Sequence, residues 1–149
     1  MRFLLDTNIL IGLLRQNKSI LEQVDDIGIF DDQSRVGISI VTVGELQSFS
    51  LKNGWGERKR ERLEDLLLYY DVYPINGKGL TKRYAQIEAY SQGKLALNNQ
   101  YLKGTARNMG KNDLWIAATA SLTQSTLLTM DYDFRHLEGS FLEMETLEF

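Results

Sequence analysis

The chain has 149 residues, a formal charge of -3 and no cysteine. That length is enough for one domain with a real core, and the lack of thiols excludes disulfides, cysteine nucleophiles and zinc–thiolate sites. The acidic balance gives no overall basic footprint for nucleic acid, and no apolar run reaches the roughly 18 residues of a membrane span. No basic, small-residue-terminated leader opens the sequence, so a cytoplasmic location is expected.

The predicted elements alternate. A strand over 2–6, continuously apolar at Phe3-Leu4-Leu5, runs into Asp6. Ile9, Leu10, Leu13 and Leu14 then follow at helical spacing, giving a helix over 7–15 and a second over 18–27. "RVGISI" predicts a strand over 35–40, followed by a helix over 42–53. A charged helix over 56–70 interleaves acids and bases, and Leu63, Leu66, Leu67 and Tyr70 form its apolar stripe. "VYPI" predicts a strand over 72–75, with a helix over 79–93 after it. A loop over about 95–110 leads to a helix over 112–123, whose Trp115, Ile116 and Ala117 are expected in the core. Strands over 126–130 and near 141–147 close the chain. Strands separated by helices imply an α/β fold with a mostly parallel sheet of about five strands, built as a single domain over 1–149.

Four acids fall at the same kind of junction. Asp6 ends the first strand, and Glu45 is placed in the first turn of the helix after "VGISI". Asp113 begins "NDLWIAATA", and Asp131 follows "TLLTM" with Asp133 two residues on. Each has a local explanation: Asp6 as a helix N-cap, Thr42 and Glu45 as a capping box, Asp113 as an acid favoured by the helix dipole behind an Asn112 cap, and Asp131 as a turn former. Capping needs only Ser, Thr or Asn, however. In a parallel α/β sheet the strand-to-helix junctions open onto one edge, so these acids converge there. Gathered carboxylates repel unless a cation sits among them, and an all-oxygen set suits Mg²⁺ or Mn²⁺.

From Ala89 to Asn112 there is no Asp or Glu, while Lys94, Lys103, Arg107 and Lys111 are present with Tyr90 and Tyr101. This stretch is either a solvated loop or a lid over a polyanion, with Lys111, Arg107 and Lys103 as candidate phosphate contacts. His136 has no G-x-S-x-G elbow to serve and is read as structural.

With "LLDTNIL", "ISIVTVGEL", "GKNDLWIAATA" and "LLTMDYDF" in this order, the chain resembles PIN-domain proteins, specifically toxin ribonucleases of the VapC type. The resemblance implies a Rossmann-like three-layer α/β/α fold and divalent-metal-dependent endoribonuclease activity on structured RNA such as tRNA or rRNA. It also implies homodimerisation and neutralisation by an antitoxin protein. It makes Asp6, Glu45, Asp113 and Asp131 the metal-binding catalytic acids, with Asp133 a second candidate ligand. Thr7 and Thr129 match supporting polar residues, and Asn8 matches one that braces the first turn. The alternatives are a PIN-like module that binds RNA or protein without cleaving, a Mg²⁺-binding phospho-receiver domain, and a DNA 5′-nuclease. A receiver would need a Lys where "TLLTMDYDF" offers an acid.

Overall fold

The computed structural model describes residues 1–148. The strands are β1 (Arg2–Leu5), β2 (Arg35–Ser39), β3 (Asp71–Tyr73), β4 (Thr126–Thr129) and β5 (Met144–Thr146). The α-helices are α1 (Thr7–Leu14), α2 (Lys18–Ile27), α3 (Ile40–Lys52), α4 (Glu57–Leu67), α5 (Lys78–Ser91) and α6 (Lys111–Thr123). A 3-10 helix, Tyr132–Leu137, which the sequence pattern did not reveal, follows β4. The sheet order is β3-β2-β1-β4-β5 and every pairing is parallel. A receiver domain has the order 2-1-3-4-5, so the strand order sets that reading aside.

Side chains of β1 alternate across the sheet, as a pleated strand requires. Phe3 and Leu5 enter one apolar layer with Ile9, Leu10 and Leu13 of α1, Ile20 and Val24 of α2, and Leu63 and Leu67 of α4. Leu4 enters the opposite layer with Ile87 of α5 and Leu114, Ile116, Ala117 and Ala120 of α6. In β4, Leu128 joins the first layer and Leu127 the second. The result is a three-layer α/β/α arrangement with β1 buried at its centre.

The stripe of α4 faces inward as the sequence predicts. Helix α6 has Ile116 and Ala117 fully buried, whereas Trp115 is only half-buried and lies on Tyr84 of α5, ring centroids 4.1 Å apart. At Gly37 in β2 a Cβ would collide with the Tyr73 ring, so the close approach of β2 and β3 requires glycine there.

Two capping expectations are corrected. Helix α3 begins at Ile40 with Ser39 as N-cap, its hydroxyl accepting from the Val41 N–H at 3.1 Å. Thr42 is therefore inside the first turn and Glu45 in the second, and no capping box forms. Helix α6 is capped by Gly110, without a side-chain bond, so Asn112 is not its cap.

Candidate active site

The order of the sheet reverses between β1 and β4, the switch point at whose carboxyl edge ligands bind in open α/β sheets. Asp6 and Asp131 flank this switch point. Asp6 is buried and does cap α1, with Oδ1 accepting from the Thr7 N–H at 2.8 Å. Its Oδ2 accepts from the Thr129 hydroxyl at 2.7 Å. The Thr129 oxygen accepts in turn from the Asp131 N–H at 3.0 Å. One fully buried threonine thus ties together the acids at the ends of β1 and β4.

Thr7 does the same for Glu45. Its hydroxyl donates to Glu45 Oε1 at 2.8 Å and lies 3.3 Å from the hydroxyl of buried Thr42. Thr42 is a support that the sequence reading assigned to capping instead; its i, i+3 spacing from Glu45 on one helix face is the signal for the correct role. Asp131 forms the expected turn, Oδ1 accepting from the Asp133 N–H at 2.8 Å. Asp133 is exposed at the rim, 3.9 Å from the Arg107 guanidinium.

Asp113 lies in the first turn of α6, half-buried. Burial pushes its pKa up to about 7, with Asp6, Asp131, Glu45 and Asp133 all adding to the rise. Burial also raises Asp6, opposed by the bonds from Thr129 and Thr7 and reinforced by Glu45 and Asp131. Five carboxylates therefore share one electrostatic neighbourhood, formed by segments from all parts of the chain.

Other candidate residues lie further out. Asn8 is exposed, and no side-chain hydrogen bond of Asn8 is found among the described residues. Lys111 opens α6 and is exposed, as is Lys103. His136 is structural: its Nε2 lies 2.7 Å from the Ser91 hydroxyl, and burial with the Arg107 charge lowers its pKa. A cleft of about 450 Å³ beside Glu45 is lined by Lys52 and Asn112. Lys52 lies seven residues after Glu45 on the same face of α3, a spacing that brings both to this cleft.

The donors are all oxygen and carry surplus negative charge, with Arg107 at the rim, which fits a hard divalent cation. Among the described residues no three His, Asp or Glu side chains form a ready ion cage. Both Asp6 oxygens and one Glu45 oxygen accept hydrogen bonds from neutral donors, and each keeps a further lone pair.

A parallel five-stranded sheet flanked by helices, with acids gathered at the carboxyl edge of its central strands, defines a three-layer α/β protein. The PIN-domain profile matches residues 3–140, and the chain belongs to the PIN-domain family. The fold is similar to that of VapBC2 from Rickettsia felis bound to a promoter DNA fragment, at 21% identity over 99% of this chain and 100% of that one, with a TM-score of 0.76. VapBC-1 from nontypeable Haemophilus influenzae matches at 25% identity, over 98% of both chains, with a TM-score of 0.71. FitAcB from Neisseria gonorrhoeae matches at 25% identity, over 97% and 96%, with a TM-score of 0.70. No curated protein sequence matches the chain. The PIN resemblance carried by the four motifs is borne out.

Proposed function

We propose that this chain is a Mg²⁺- or Mn²⁺-dependent endoribonuclease, the toxin of a toxin–antitoxin pair, cleaving structured RNA. The observation that carries this reading is the hydrogen-bonded framework that joins Asp6 to Asp131 through Thr129 and holds Glu45 through Thr7 at the carboxyl edge of the sheet, with Asp113 in the first turn of α6. Asp6 and Asp113 would hold the ion, with Glu45 and Asp131 bound directly or through water and Asp133 a further ligand at the rim. A divalent ion held by these residues would supply a water of lowered pKa and charge to offset that developing on the phosphate oxygens.

The protein's own groups supply the rest. Thr129 fixes the Asp6 carboxylate, and Thr7 fixes Glu45 so that its free oxygen can orient an attacking water. Arg107, beside Asp133, and Lys52, in the cleft with Glu45, would give the RNA backbone cationic contacts, with Lys111 and Lys103 as further candidates. Arg107 would exchange its contact with Asp133 for a phosphate.

The structural relatives include VapBC assemblies and a Klebsiella pneumoniae toxin–antitoxin complex. A cognate antitoxin protein is proposed on that basis; a homodimer, action as one domain and a cytoplasmic location are proposed from the resemblance to VapC-type toxins. Among the described residues no helix is long and apolar enough to cross a membrane. The second reading is a PIN-like module that binds RNA without cutting it. Incubation of purified protein with total RNA and graded Mg²⁺ or Mn²⁺, followed by mapping of new ends, separates the two. Cleavage that depends on metal and is lost in Asp113→Asn supports the nuclease; RNA binding with no cleavage at any metal concentration refutes it.

A further inference from the structure

The acid-free stretch between α5 and α6 is held by specific contacts. Leu97 and Gln100 exchange backbone hydrogen bonds of 2.8 and 2.9 Å around Asn98 and Asn99, whose φ angles are 49° and 62°. This is the geometry of a two-residue type I′ turn, where asparagine tolerates the left-handed region. The far end is tied as well. The Arg107 N–H donates to the Ser91 carbonyl at 2.7 Å, and the Ser91 hydroxyl meets His136 on the 3-10 helix.

Between this turn and the 3-10 helix lies a cleft of about 490 Å³, within the range of small-molecule sites. It is lined by Tyr90, Asn98, Gln100, Tyr101, Lys103 and His136. Tyr101 is 61% exposed, an aromatic face with little packed against it. A free phosphate has no use for the ring, and an apolar ligand none for the amides. A nucleobase uses both, since unpaired bases stack on aromatic side chains and are read by hydrogen bonds along their edges.

Position relates the cleft to the acids. His136 follows Asp133 by one 3-10 turn, about 6 Å along the helix. A smaller cleft of about 220 Å³, lined by Arg107, Asn108, Met109 and Asp133, adjoins the same helix. We infer that the larger cleft receives one unpaired nucleobase beside the phosphate held at the acidic edge. Its ring stacks on Tyr101, Asn98 and Gln100 read its edge, and Lys103 contacts the backbone. This deepens the ribonuclease reading and rests on it for the choice of RNA, while base binding itself can be measured without cleavage.

The test is an NMR titration of ¹⁵N-labelled protein, in EDTA, with each of the four ribonucleoside monophosphates and with ribose 5-phosphate. At least one nucleotide should shift amides in segments 97–103 and 136–140, ribose 5-phosphate should shift them far less, and Tyr101→Ala should weaken the response by about tenfold. No response at millimolar nucleotide, equal shifts from ribose 5-phosphate, or indifference to Tyr101→Ala each overturns the inference. In end mapping, Tyr101→Ala and Gln100→Ala should flatten a base preference next to the cut. An unchanged end pattern in Tyr101→Ala overturns the cleft; base binding without any cleavage overturns the nuclease and leaves the cleft standing.

Discussion

Asp113→Asn should make the metal-free protein more stable while removing its activity. Folding raises the Asp113 pKa from 3.8 to about 7. A carboxyl raised in this way favours the folded state below its ordinary pKa, and that advantage is lost as pH rises through about 7. The full shift corresponds to about 4 kcal/mol of strain against the ionised form at pH 8. Because the group is only half-buried, screening by water reduces this to about 1–2 kcal/mol. Asn is nearly isosteric, carries no charge, and forfeits no cap, since α6 has no side-chain cap bond. In EDTA the variant should therefore melt higher than the parent at pH 8 by about 3–8 °C, with the gap shrinking towards pH 4. Thermal or urea melts across that pH range measure it, with circular dichroism to confirm the fold. A variant no more stable than the parent at pH 8, or a gap independent of pH, would refute the account of Asp113 as a carboxylate held against its neighbours' charge.

Millimolar Mg²⁺ or Mn²⁺ should raise the melting temperature of the parent by mass action and leave Asp6→Asn and Asp113→Asn little changed; differential scanning fluorimetry reads both. Thr129→Val removes the hydroxyl that serves both Asp6 and Asp131, so it should cost about 1–3 kcal/mol in urea unfolding and lower the cleavage rate. Arg107→Ala should weaken RNA binding by Asp113→Asn and reduce its dependence on salt by about one ion, measured by fluorescence anisotropy at several salt concentrations. Gly37→Ala should destabilise by about 1–3 kcal/mol through its clash with Tyr73, without changing the site chemistry.

The order and kind of elements were legible in the chain because hydrophobic periodicity is local. Phe3-Leu4-Leu5 reads as a doubly buried strand, and the leucines of α4 read as one stripe, whatever lies elsewhere. The four acid-bearing junctions were legible for the same reason, since each is a strand end or helix start visible within about ten residues. Helix beginnings were less so: Ser39 and Thr42 both have capping chemistry, and only the packed start of α3 selects Ser39. What joins the acids was invisible, because it depends on distance through space. The Thr129 bond to Asp6 spans 123 residues of sequence, and the Thr7 bond to Glu45 spans 38. The sheet order that brings β1 beside β4 is likewise a choice among long-range pairings that local patterns leave open. Asp6 shows the division most clearly: its type and position made it a helix cap from the sequence alone. Burial at the switch point, beside Glu45 and Asp131 from other segments, raises its pKa and makes its negative charge costly unless balanced.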